Sequence, residues 1–143
     1  MPEPFALPCT VYRLRMAARR ATRLYDAHLA PSGLGIAQFG LMQVLSMRGG
    51  STVTEVAAIL DMDRTTLTRN LTPLVRQGFV DLCAGPDRRS RSVTITPAGR
   101  RKLKQALPMW RKAQDAVRAS LGAANVSSLH ALLDAAVVRL PGE

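Results

Sequence analysis

Apolar residues recur at alternating steps of three and four along the start of the chain. Val11, Leu14, Ala18, Ala21, Tyr25 and Leu29 share one face, which predicts a helix over Thr10 to Leu29. The other face carries Arg13, Arg19, Arg20 and Arg23. Pro31-Ser32-Gly33-Leu34-Gly35 is a breaker cluster. A second helix, Ile36 to Met47, is mostly apolar (Ile36, Phe39, Leu41, Met42, Val44, Leu45), so burial is expected; Gly49-Gly50 ends it. Thr52 to Glu55 fits a capping box for a short helix with Val56, Ala57, Ile59 and Leu60 on its apolar face. That helix should stop near Asp61-Met62. Asp63 then caps another, about Arg64 to Gln77, with Gly78 just past its end. Two helices this close have helix-turn-helix spacing.

The period then changes. Phe79 to Cys83 and Ser92 to Ile95 read as strands around a turn-forming, cationic loop, Ala84 to Arg91. Thr96-Pro97 caps a long helix running to about Ser120, with Leu103, Leu107, Trp110 and Val117 as apolar positions; Pro108 should kink it. Gly122 to Asn125 reads as a break, and a last helix spans about Val126 to Leu140. The predicted fold is mainly α with a small β-wing. One domain, 1–143, would hold a winged helix-turn-helix lobe over 36–97 and dimerisation helices over 5–30 and 100–143.

The helix from Arg64 carries the first chemistry. Leu67, Leu71, Leu74 and Val75 form its inward stripe; Arg64, Thr65, Thr68, Arg69, Thr72 and Arg76 face away, and no acid lies among them. A solvated helix of this length ordinarily carries Glu. Arginine can pair bidentately with guanine, and threonine offers a hydroxyl and a methyl, so the face suits a major groove. Seven basic residues against one acid, Asp87, lie between Gly85 and Lys104. A hairpin tip with Arg88, Arg89 and Arg91 can deliver a guanidinium to a narrow minor groove. Asp87 is best read as a brace that orients an arginine.

Composition agrees. The 143 residues carry 20 Lys plus Arg against 10 Asp plus Glu, a net charge of +10 that favours a polyanionic partner. Ten of the basic residues fall between Arg64 and Lys104 against two acids, Asp81 and Asp87, a local net of +8. With 47% hydrophobic residues the chain is no disordered tail, and 4% aromatics argue against a surface built on base stacking. A membrane span and a signal peptide are not evident, which predicts a cytoplasmic, nucleoid-associated protein without membrane partners. Cys9, Cys83, His28 and His130 form no metal-binding spacing. No cofactor is expected. Nor is enzymatic activity, because no nucleophile–base pair or phosphate loop stands out.

The chain resembles the MarR family of bacterial transcription regulators. The resemblance rests on Asp87-Arg88-Arg89-Ser90 with Val93 to Gly99 (the family's wing signature), on Asp63 to Leu71, and on Gln38 to Met42. It implies a homodimer on a pseudo-palindromic duplex operator, with contacts from Arg64, Thr65, Thr66, Thr68, Arg69, Asn70, Arg76, Arg88, Arg89 and Arg91. It makes Arg89 the minor-groove residue and Asp87 its partner. Two departures stand out: Gly35 replaces the usual hydroxyl cap of the second helix, and Pro73 lies within the recognition helix.

The terminal helices argue for a dimer on their own. Leu129 to Leu140 is apolar at too many positions for a peripheral helix, and Phe5, Leu7 and Val11 add to the surplus. The resemblance also implies a cleft for a small aromatic or lipophilic effector, for which Arg15, Met16, Arg19 and Met42 are candidates. The resulting expectation is a repressor released by such an effector. Two alternatives remain: thiol-based redox sensing through Cys9 at the start of the first helix, and an architectural DNA-binding protein without sequence preference. Cys83, Tyr12 and Trp110 are read as packing residues.

Overall fold

The structure, a computed structural model, describes residues 8–142. Phe5 and Leu7 therefore lie outside the described residues. The first helix, α1, spans Thr10–Leu29. A 3-10 turn, Ala30–Ser32, closes on Gly33 in the left-handed region (φ +78°). Helix α2 follows at Ile36–Met47. Gly35 has no side chain to cap it, and the missing hydroxyl is replaced from elsewhere. Asp26 Oδ1, on α1, accepts from the Ile36 N–H at 2.8 Å, and Gln38 Oε1 accepts from the Gly35 N–H at 3.2 Å.

Strand β1 (Ser51–Thr52) leads directly into α3 (Val53–Ile59). The capping box forms as the sequence predicts: Thr52 Oγ1 accepts from Glu55 N–H at 3.2 Å, and Glu55 Oε2 accepts from Thr52 N–H at 2.7 Å. Helix α3 ends in a Schellman motif. The Met62 N–H reaches the Ala57 carbonyl at 2.9 Å while Asp61 adopts φ +49°. Helix α4 (Arg64–Arg76) ends the same way, with Phe79 N–H on the Leu74 carbonyl at 2.9 Å and Gly78 at φ +74°. Strands β2 (Val80–Ala84) and β3 (Arg91–Ile95) pair antiparallel with Leu82 opposite Val93, and β1 adds to the other edge of β3.

Helix α5 runs unbroken over Pro97–Leu121, through Pro108. The break after it is shorter than predicted. Gly122 alone makes the corner at φ +85°, and α6 begins at once, spanning Ala123–Arg139 at 105° to α5. A single left-handed glycine reverses the backbone, so Ala123 to Asn125 can already be helical. Among the described residues no single helix is long and apolar enough to cross a membrane.

The core lies where α2, α3, α4, the sheet and the first half of α5 meet. Leu41, Met42, Leu45, Val56, Leu67, Leu71, Leu74, Val80 and Val93 are its fully buried side chains there, and Phe39 stacks on Trp110 with ring centres 6.0 Å apart. Helix α5 approaches the α4–β2 turn so closely that only glycine fits at position 99. A Cβ there would overlap the Phe79 carbonyl oxygen and Ile95 Cγ1. Gly99→Ala should therefore destabilise the fold by about 1–3 kcal/mol, despite alanine's better helix propensity. A urea melt with an unchanged midpoint would contradict that close approach.

Candidate nucleic-acid interface

Asp63 sets the start of α4. Its Oδ1 accepts from the Thr66 N–H and its Oδ2 from the Thr66 hydroxyl, both at 2.8 Å. Those bonds, the backbone one first, hold the Asp63 carboxyl below its ordinary pKa. The family resemblance implies a DNA contact for Thr66, but its hydroxyl proton is engaged in the cap. Leu67, Leu71 and Leu74 are buried beneath the helix. Arg64, Thr65, Thr68, Arg69, Thr72 and Arg76 are exposed on one acid-free face; Asn70 is half-buried beside them. Pro73 lacks an N–H, yet α4 continues to Arg76, and Thr72 Oγ1 donates to the Thr68 carbonyl at 2.8 Å.

The β2–β3 hairpin carries Arg88 and Arg89 at its tip and Arg91 at the first position of β3, all exposed. Asp87 orders that tip, by a route other than the one the sequence predicts. Its Oδ1 accepts from the backbone N–H groups of Arg89 and Ser90, each at 2.9 Å. The same two donors, Arg89 first, hold its carboxyl below the usual range. Asp87 thus braces the backbone and leaves the Arg89 guanidinium free to point outward. An Asx turn offers two parallel N–H groups to one oxygen, a better-fixed geometry than a mobile arginine head. Gly85 closes the loop with its N–H on the Ser90 carbonyl at 2.8 Å, and a Cβ on Gly85 would overlap Ser90.

Two members of the basic run are engaged with carbonyls of their own chain. Arg100 Nη1 donates to the Ser46 carbonyl at 3.3 Å and Lys102 Nζ to the Ser32 carbonyl at 3.1 Å. No local sequence signal marks either, since each partner lies more than fifty residues away in the chain. Recognition helix and wing still present Arg64, Arg69, Arg76, Arg88, Arg89 and Arg91 to solvent. These suit phosphates and base edges, with arginine forks for planar acceptors.

Of the candidate effector residues, Arg15, Met16 and Arg19 share α1, and Met42 on α2 is fully buried in the core. An almost uniformly apolar helix such as α2 gives no periodic hint of which side meets a cavity. Arg15 and Arg19 are exposed on α1, with Met16 half-buried between them. A groove of about 210 Å³ does exist between α2 and α5, lined by Gln43, Ser46, Arg100, Leu103, Lys104 and Leu107. Cys9 is the half-buried N-cap residue of α1. Cys83 corrects another expectation: it is exposed on β2, opposite Ser92, because it lies on the solvent side of a two-faced hairpin. Tyr12 is also largely exposed, whereas Trp110 packs as predicted.

Apolar surface remains at the other end of the molecule. On α6 only Val126 is buried; Leu132, Val137 and Val138 are 70%, 76% and 83% exposed. Val11, Leu14 and Leu121 extend the exposed set onto α1 and α5.

Comparison with known proteins places this architecture. The family model described as MarR family matches residues 32–90. The transcriptional regulator MosR of M. tuberculosis, solved in complex with DNA, is 41% identical; the match covers 92% of this chain and 99% of that one, with a TM-score of 0.77. The chain belongs to the MarR family. A cysteine-to-serine mutant of E. coli MarR, solved with operator DNA, is 26% identical over 91% of this chain and 92% of its own, with a TM-score of 0.79. The HTH-type transcriptional regulator YwoH of Bacillus subtilis (strain 168), itself uncharacterised, is 25% identical over 95 residues, 66% of this chain and 69% of that protein. As a MarR-family chain, this protein has a winged helix-turn-helix in which α3 and α4 are the two helices and β2–β3 the wing.

Proposed function

We propose that this chain is a homodimeric transcription regulator that binds duplex DNA sequence-specifically. One observation carries the reading: the exposed face of α4 is an acid-free array of arginine and threonine, seated beside an arginine-tipped wing whose backbone is ordered by Asp87. Thr65, Thr68 and Arg69 read base edges in the major groove; Arg64 and Arg76 contact flanking phosphates; Arg89 enters the minor groove. Residues 36–97 form the DNA-binding lobe, and both terminal regions form the dimer. Two matched recognition helices then read half-sites about one helical turn apart.

The protein represses by occupying its operator and is released by a small effector with an acidic head and an apolar body. The α2–α5 groove suits such a ligand, because Arg100 and Lys104 stand at one wall and Leu103 and Leu107 line it. The protein acts in the cytoplasm and catalyses no reaction. Redox control through Cys9 is the second reading, favoured by its position as the N-cap residue of α1 with its side chain outside the cap bonding. Operator binding by Cys9→Ser, with and without hydrogen peroxide, separates the two: loss of peroxide response in the variant supports the thiol.

Selection of bound duplexes from a random pool tests the main reading. The wild-type chain should enrich one inverted repeat. Arg69→Ala should relax the preference at one position in each half-site, by about 1–3 kcal/mol of discrimination, with little change in binding to unrelated duplex. An unchanged enriched sequence would place Arg69 off the base edges.

A further inference from the structure

The first two turns of α5 reach the ends of three other helical elements. Thr96 Oγ1 donates to the Gly78 carbonyl at 2.6 Å, just past the recognition helix, and Thr96 N–H donates to the Phe79 carbonyl at 3.0 Å. Arg100 reaches the last turn of α2 at Ser46. Lys102 reaches Ser32, the last residue of the 3-10 turn joining α1 to α2. Carbonyls at helix ends lack intrahelical donors and carry partial negative charge, so a cation there is doubly favoured.

Lys102 is the most committed of these groups. Its stem is half-buried, and its ammonium lies 5.5 Å from the centre of the Phe79 ring while donating to Ser32. Ser32 is a buried polar residue whose hydroxyl donates to the Leu29 carbonyl and accepts from Leu34 N–H. Phe79 is the residue that completes the C-terminal motif of α4. One ammonium therefore joins the α1–α2 connection, the end of the recognition helix and the base of α5. Withdrawing it to meet a phosphate would give up both partners.

We infer that Lys102 is a positioning residue: it sets the angle at which α5 carries the recognition helix, and so the half-site spacing that the dimer accepts. The inference rests on the reading of the chain as a DNA-binding dimer. It separates Lys102 from the exposed arginines of α4 and the wing, which would act on DNA directly.

The test compares wild type, Lys102→Gln and Lys102→Arg on the wild-type-selected duplex and on versions with the half-sites one base pair closer or farther apart, each across a salt series. Lys102→Gln should bind the original spacing about 10-fold more weakly, with its preference over the altered spacings largely lost and its salt slope unchanged. Lys102→Arg should restore both affinity and spacing preference, because a guanidinium can donate to Ser32 and lie over Phe79. A salt slope lower by about 0.9 per subunit with intact spacing preference would make Lys102 a phosphate contact and overturn the inference. So would unchanged affinity and spacing. If Lys102→Gln fails to unfold cooperatively, Phe79→Leu, which takes the ring from beneath the ammonium and keeps the charge, is read by spacing preference alone: an unchanged preference would overturn the inference. Failure of the wild-type chain to enrich any duplex would instead refute the DNA-binding reading itself.

Discussion

Arg89→Ala should weaken operator binding by about 100-fold at moderate salt, roughly 10-fold for each subunit of the dimer. The slope of log affinity against log salt should fall by about 1.8, since two phosphate-region charges are lost. The reasoning begins at Asp87. Its carboxylate holds the Arg89 and Ser90 N–H groups, so the tip is ordered before DNA arrives and little conformational entropy remains to be lost there. The guanidinium is exposed and can enter a groove where negative potential is enhanced. Asp87→Ala should reproduce part of the affinity loss while leaving the salt slope intact, because the positive charge remains. Gel-shift titrations across salt concentrations check both. An Arg89→Ala chain with wild-type affinity and slope would remove the wing from the interface.

Leu132→Glu with Val137→Glu should give a monomer of about 15.5 kDa by light scattering. Operator affinity should then drop by at least about 100-fold, because the second half-site is no longer held at high effective concentration. Both side chains are more than two-thirds exposed on α6, which buries only Val126 against its own chain. An apolar face of this extent, continued by Val11, Leu14 and Leu121, is what a shared interface covers. Carboxylates placed there would have to be desolvated beside apolar groups on association. A double variant that stays dimeric would move the interface elsewhere.

Local chemistry was legible in the sequence where a residue answers to near neighbours. The bounds of α1 and α2, the Thr52–Glu55 box, the Asp63 cap and the Thr96-Pro97 start all formed as the residue types predict, because each depends on a few adjacent positions. The acid-free face of α4 was legible because its inward leucine stripe fixes which side is free. What escaped depends on distant partners or on a fine choice of acceptor. Asp26 capping α2, and Lys102 on Ser32, join residues that only the tertiary fold brings together. The sequence marks Asp87 as a brace, but its partners are backbone N–H groups and not an arginine side chain. The burial of Met42 is not legible because the uniform apolarity of α2 carries no directional signal. The onset of α6 is earlier than the sequence predicts because Gly122 alone suffices for the corner.

The central claim is that α4 and the wing read sequence in duplex DNA. Its most direct measurement is the ratio of dissociation constants for the selected duplex and a scrambled duplex of equal length, taken at one fixed physiological salt concentration. The account predicts a ratio of about 1,000 or more in favour of the selected duplex. A ratio near one would show a protein held by phosphates alone, and would contradict it.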